Sequence, residues 1–155
     1  MIQPNTPAPN FELLDQDGVI ARLSDARGSW VLLYCYPKDD TPGCTMQACL
    51  IRDNWTEFQG LPVMVWGVSA DSPAKHKRFI EKYQLPFRLL SDESHDMLQS
   101  YGVWREKKFM GRRYMGIART SFLIDPQGVV RRVYEDVKPS AHAEQVLADL
   151  KALTQ

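Results

Sequence analysis

The chain has 155 residues, 44% of them hydrophobic and 25% charged, enough for one domain whose core needs no disulfide or metal staple. Lysine plus arginine and aspartate plus glutamate both total 19, so the formal net charge is zero, and the short pairs Arg112-Arg113 and Arg131-Arg132 do not make a nucleic-acid-binding surface. No apolar run approaches the roughly 18 residues of a membrane span, and residues 1–7 lack the basic and apolar regions of a signal peptide, so a cytoplasmic setting without a membrane partner is expected.

After a proline-rich arm expected to lie extended over the surface, residues 11–14 and 19–22 flank Asp15-Gln16-Asp17-Gly18. The Asp-Gly step tolerates positive φ and predicts a β-hairpin. Residues 30–35 are apolar throughout, the pattern of a strand covered on both faces. A helix is predicted from about residue 44 to 58, with Gly60 placed to end it. Residues 63–68 form the next buried strand. Ser72-Pro73 is an N-cap followed by proline at the first helical position, and that helix carries Phe79, Ile80 and Tyr83 before Leu85-Pro86 stops it.

A short strand at 88–90 and a short helix at 95–101, closed by Gly102, come next. Residues 104–119 hold glycines, basic residues and aromatics, and read as a surface loop that packs in part. Residues 120–124 and 129–134 flank Asp125-Pro126-Gln127-Gly128, a second hairpin. An amphipathic helix after Pro139 aligns Val146, Leu147, Leu150 and Leu153. This order predicts an α/β fold with a mixed central sheet and a single domain over residues 1–155.

The three cysteines, Cys35, Cys44 and Cys49, are too few and too close for a disulfide scaffold. With only His76, His95 and His142 elsewhere, they lack the paired ligands of a zinc site. Redox chemistry is what remains. Cys44 falls where a loop enters a helix, and there unpaired N–H groups and the helix dipole favour an anion. Both lower a thiol from its free pKa of roughly 8.5, and the thiolate is the nucleophile.

Thr41 offers a hydroxyl three residues earlier, and Pro37 and Pro42 stiffen the loop and limit water. An arginine from another strand would stabilise the thiolate and the charge that develops as a bond to it forms. Spacing alone leaves Arg88, Arg105, Arg112 and Arg113 as equal candidates for it. Cys49 is either a second working thiol or a core residue beside Met46 and Leu50. Cys35, inside its strand, is expected to pack. The histidines read as solvated helix residues and Asp39-Asp40 as a solvated turn. Trp104 and Phe109 either line a substrate approach or pack.

The spacing Pro37-x-x-x-Thr41-x-x-Cys44 resembles the active-site motif of the peroxiredoxins, thiol peroxidases built on a thioredoxin-like fold. The string Thr41-Pro42-Gly43-Cys44-Thr45-Met46-Gln47-Ala48-Cys49 is similar to the bacterioferritin comigratory protein, or peroxiredoxin Q, branch. So are residues 108–114 and 116–125, and the similarity covers nearly the whole chain. The resemblance implies that Cys44 is the peroxidatic cysteine, Cys49 the resolving cysteine and Arg119 the arginine that faces the thiolate. Thr41 would bond thiolate and peroxide, and Pro37 would shield them. Hydrogen peroxide and organic hydroperoxides are the implied substrates, a thioredoxin-type dithiol the reductant, with no metal, haem or flavin.

The branch is often monomeric, which suits an intrachain disulfide. Cys35 is not part of its pattern and stays an alternative to Cys49 as the resolving thiol. Two other classes bear comparison. A disulfide oxidoreductase of this fold uses C-x-x-C, which the chain lacks, whereas a redox sensor uses the same reactive thiol and is separated only by catalytic turnover. On a regular helix, five residues separate Cys44 from Cys49 by about 7.5 Å of rise and about 140° of rotation. Their Cα atoms then stand about 8–9 Å apart, beyond the ~7 Å that a disulfide bridges. The first turns of the helix are therefore expected to unwind in each catalytic cycle.

Overall fold

A computed structural model describes residues 2–155; Met1, the first residue of the expected arm, lies outside them. Seven strands form one mixed sheet in the order β2-β1-β5-β4-β3-β8-β9. Its centre is β3 (Trp30–Cys35), parallel to β4 (Val63–Ser69), which is parallel to β5 (Arg88–Ser91). Antiparallel strands complete both sides. β8 (Thr120–Ile124) and β9 (Val130–Tyr134) follow β3, and the hairpin of β1 (Glu12–Asp15) and β2 (Ile20–Arg22) follows β5. The arm is fixed by residues 5–8, which exchange backbone hydrogen bonds with residues 128–130.

All six residues of β3 are buried, as an apolar strand in mid-sheet must be. Their alternation divides two cores. Val31, Leu33 and Cys35 face one with the arm, Met97, Leu98 and Tyr101. Trp30, Leu32 and Tyr34 face the other. That second core is covered by α1 (Pro42–Asp53), α2 (Trp55–Gln59), α3 (Pro73–Tyr83) and α5 (His142–Leu153), while α4 (Asp96–Ser100) lies on the first.

The expected cap of α3 is present: Ser72 Oγ accepts from the Lys75 N–H at 3.2 Å. The helix ends on Gln84, whose φ of 52° is left-handed, one residue before the predicted stop. The single helix expected over 44–58 is two. Asn54 donates through Nδ2 to Leu50 O at 2.8 Å, so its side chain competes for a helix carbonyl, and a new turn starts at Trp55.

The segment expected to be a surface loop is instead a hairpin of β6 (Trp104–Phe109) and β7 (Arg112–Ile117). It turns on Met110 and Gly111, both at positive φ, the pairing a two-residue turn needs. Its strands are mostly solvated, with Phe109 and Met110 among the most exposed apolar side chains. Among the described residues no helix is long and apolar enough to cross a membrane.

Candidate active site

From the end of β3 the chain enters a loop, residues 36–41, that leads into α1. The loop is clamped from beneath. Tyr36 donates to Asp39 Oδ1 at 2.5 Å, and Asp39 Oδ2 lies 2.6 Å from His76 Nδ1. His76 Nε2 stands 3.0 Å from Leu90 O. The Asp39 N–H donates to Asp71 Oδ2 at 2.9 Å, and Ser69 Oγ donates to the same oxygen at 2.7 Å. Asp39 is therefore a buried anchor and His76 a buried ring, which corrects the solvated turn and the solvated histidine expected for them. Asp40 does stay exposed, at a left-handed φ of 56°, and accepts from Lys82 Nζ and Tyr83 OH.

Among the described residues, Asp39, Asp71 and His76 are the one group with metal-like spacing, their donor atoms within 4.8 Å of one another. His76 Nδ1 pairs with Asp39 Oδ2, and the other bonds of these atoms go to Tyr36, Ser69, the Asp39 N–H and the Leu90 carbonyl. That is what a clamp on the loop requires.

Pro42 opens α1 at a position where the missing N–H costs nothing. Thr41 is the N-cap residue, but its side chain caps no N–H; its hydroxyl donates to Lys38 O at 2.8 Å. The first intrahelical bond runs from the Thr45 N–H to Thr41 O. The Gly43 and Cys44 N–H groups therefore have no acceptor inside the helix. Cys44 is only 2% exposed.

Arg119, between β7 and β8, reaches across to this turn. Its Nη2 donates to Cys44 Sγ at 3.4 Å and its Nη1 to Gln47 Oε1 at 2.7 Å. Its backbone is held by the neighbouring Ala118 N–H bonding to Val103 O and by the Val137 N–H bonding to Arg119 O. Gly43 eases the approach, because a Cβ there would stand 3.1 Å from Nη2 and crowd the guanidinium. Spacing alone did not distinguish this arginine from Arg88, Arg105, Arg112 and Arg113; the contact is made by Arg119, the one the motif resemblance implied.

A groove of about 370 Å³ opens beside Pro37, lined by Lys38, Trp104, Lys107, Tyr114 and Met115. Trp104 also stacks on the half-buried His95, ring centroids 3.8 Å apart. Burial first, then the charge of Arg119, lower the Lys107 pKa, while Cys44 acts in the opposite sense. The ammonium is thus close enough to feel both members of the pair.

Cys49 lies on the same uninterrupted helix, half-buried, its thiol pushed up mainly by burial; all three cysteines are free thiols. Cys35 is fully buried with the core on the opposite side of the sheet from Cys44. The sheet itself stands between those two thiols. Met46, expected beside Cys49 on an apolar face, is half exposed.

His142, expected as a solvated helix residue, is instead buried at 1% exposure, and no role was expected for Gln47 or Lys107. The signal for two of them was available. Gln47 with Ile51, and His142 with Val146 and Leu150, recur every four residues, so each polar residue extends a buried stripe. A polar residue on such a stripe must find a buried partner.

The chain matches the AhpC/TSA family model over residues 4–133. It is 52% identical over 144 residues to peroxiredoxin Bcp of Escherichia coli (strain K12), covering 93% of this chain and 92% of that one. It is 42% identical over 154 residues to peroxiredoxin Bcp of Bacillus subtilis, covering 99% and 98%. Among solved structures, it is similar to a cysteine-to-serine variant of Xylella fastidiosa PrxQ, with a TM-score of 0.91, 31% identity and the full length of both chains covered. It is similar also to Xanthomonas campestris bacterioferritin comigratory protein, with a TM-score of 0.89, 34% identity and 94% and 92% coverage; that protein was studied for alkyl peroxide reduction. The thioredoxin-like fold implied by the sequence agrees with both likenesses.

Proposed function

The chain belongs to the AhpC/TSA family of peroxiredoxins, in its Bcp/peroxiredoxin Q branch, and on that premise we propose that Cys44 is the attacking thiol, Cys49 the resolving thiol and Arg119 the residue that stabilises the attacking thiolate. The protein is a thiol-dependent peroxidase. Peroxides are its substrates and a thioredoxin-type dithiol its reductant.

In the proposed cycle the Cys44 thiolate attacks the terminal oxygen of a hydroperoxide. An S–O bond forms, the O–O bond breaks, and the leaving alkoxide or hydroxide takes a proton to become alcohol or water. Sulfur is oxidised to sulfenic acid, the reversible rung of the oxidation ladder. The Cys49 thiol then attacks that sulfur and expels the oxygen as water, leaving a Cys44–Cys49 disulfide. An external dithiol reduces the disulfide by exchange and is itself oxidised.

The observation that carries this reading is the Arg119 Nη2 contact to Cys44 Sγ at the first turn of α1. The guanidinium meets the sulfur at a helix turn whose first N–H groups lack intrahelical acceptors, where negative charge is present before attack and on the leaving oxygen after it. Thr41 and Pro37 complete the loop. The Thr41 hydroxyl donates to Lys38 O and would have to turn from it to reach a thiolate or peroxide.

Because Cys44 and Cys49 share one regular helix, resolution requires the segment between them to unwind, since the ~7 Å limit of a disulfide is exceeded on a helix. The whole chain acts as one domain, monomeric and cytoplasmic. The test is hydrogen peroxide consumption coupled to NADPH through thioredoxin and thioredoxin reductase. Catalytic turnover by the wild type and none by Cys44→Ser supports the assignment; turnover by Cys44→Ser overturns it.

A further inference from the structure

Behind the Cys44–Arg119 pair runs a buried polar chain that the peroxidase cycle does not itself use. Arg119 has only donors, so the Gln47 amide must turn its oxygen to Nη1, as the 2.7 Å contact shows. The Gln47 Nε2 group then faces His142 Nδ1 at 3.2 Å and donates to it. With Nδ1 accepting, the ring proton sits on His142 Nε2, which lies 2.8 Å from Ser121 Oγ. Gln47, His142 and Ser121 are each no more than 1% exposed, so the chain is shielded from bulk water.

Donors and acceptors in this order admit only the neutral ring. Burial first and the Arg119 charge second hold the His142 pKa down to about 4, which is that state at neutral pH. The chain also joins parts that differ in what they must do. Gln47 lies in the very segment that must unwind, between Cys44 and Cys49 on α1. His142 begins α5 and Ser121 lies in β8.

We propose that His142 is a positioning residue: by fixing the Gln47 amide from behind, it holds the Arg119 guanidinium on Cys44 and latches the first turns of α1 in the folded state. The proposal rests on the assignment of Cys44, Cys49 and Arg119 above. It gives loss of His142 opposite effects on two successive steps. Oxidation of Cys44 slows because Arg119 is less well held. Formation of the disulfide quickens because the latch on the segment that unwinds is gone. General destabilisation has no reason to act on the first step through Gln47 alone.

The experiment is single-turnover stopped-flow fluorescence of the reduced full-length protein mixed with hydrogen peroxide, which separates the bimolecular oxidation from the following unimolecular disulfide step. His142→Phe keeps the ring volume and removes both nitrogens. His142→Asn keeps an acceptor near the position of Nδ1. For His142→Phe oxidation should fall by about tenfold, the weight of one hydrogen bond to a group held by charge, and the disulfide step should rise. His142→Asn should restore both rates toward wild type.

The double-mutant cycle with Gln47→Leu supplies the decisive readout. If His142 acts through Gln47, His142→Phe has little further effect on oxidation once Gln47 is gone. Additive losses overturn the proposal, as does a His142→Phe protein that is oxidised at the wild-type rate, or one in which both steps slow together. Should the phenylalanine variant fail to fold, Ser121→Ala removes the acceptor of the Nε2 proton and should show the same two signs at smaller size; unchanged rates there overturn it too. Failure of the underlying assignment looks different, since Cys44→Ser would then still consume peroxide.

Discussion

Cys35 and Cys44 are almost equally hidden, 0% and 2% exposed, yet they sit in opposite chemical worlds. Cys35 ends a strand and faces apolar side chains of the first core. Burial pushes its thiol far above the ordinary range, and the nearby Asp92 carboxylate pushes it the same way. Cys44 meets a guanidinium 3.4 Å away and the open end of a helix. Exposure therefore does not separate the thiol proposed to attack from the one expected only to pack. What separates them is whether the surroundings supply donors and positive charge to an anion.

The largest effect expected from this contrast is all-or-none. Cys44→Ser should abolish coupled peroxide turnover, while Cys35→Ser should leave it unchanged, since the sheet lies between that thiol and the site. Equal loss in both variants would break the comparison. So would a Cys35–Cys44 crosslink in peroxide-treated protein, which mass spectrometry of peptides would detect.

Next in size is Arg119→Ala, which removes the charge that distinguishes the two environments. We expect kcat/KM for hydrogen peroxide to fall by on the order of 10²–10³, comparable to the loss of one preorganised donor to a developing anion. Arg119→Lys should recover only part of the loss. An ammonium is a point charge and cannot hold Cys44 and Gln47 with separate nitrogens in a fixed fork. A lysine variant with full activity would show that charge alone, and not the fork, matters.

Smaller in its effect on the first turnover is Cys49→Ser. It leaves Arg119, Gly43 and the helix start untouched, so Cys44 should oxidise at nearly the wild-type rate and then stall as sulfenic acid. A second peroxide molecule would carry it to sulfinic acid, which the dithiol does not reverse. Rapid quench with mass spectrometry distinguishes these states. Sustained turnover with thioredoxin would mean that Cys49 is dispensable and that the reductant attacks Cys44 directly.

Much of this contrast could be read before any coordinates. The apolar run of residues 30–35 marked a buried strand, Asp17-Gly18 a hairpin and Ser72-Pro73 a helix start, because each depends on neighbours in sequence. The place of Cys44 in the first turn of a helix was legible for the same reason. Arg119 was not legible from spacing, because its contact to Cys44 spans 75 residues; only the motif resemblance supplied it. The clamp under the loop, where Asp39 meets His76 across 37 residues, was hidden likewise. The β6–β7 hairpin escaped notice because neither of its faces is buried along its length and its turn is Met-Gly, so neither alternation nor a common turn pair marked it.

The smallest effect concerns the polar chain that backs Cys44 and has no counterpart in the apolar setting of Cys35. His142 is held at about 4, whereas a free histidine titrates near 6.5. Well above about pH 6.5 the ring is neutral in both folded and unfolded chains and contributes no pH dependence. As the pH falls from there, the unfolded chain takes a proton that the folded chain refuses, and stability is lost. At about pH 5 the loss from this one group is about 2 kcal/mol, and it levels off below about 4, where the folded ring also protonates.

Urea unfolding of the wild type at about pH 7 and about pH 5, set beside His142→Asn, isolates that share, because the other groups titrate in both proteins. The asparagine variant should lose less stability than the wild type over this interval. Equal losses would mean that the folded ring accepts a proton freely, and the neutral order of donors and acceptors from Arg119 through Gln47 to Ser121 would then not be what holds the site together.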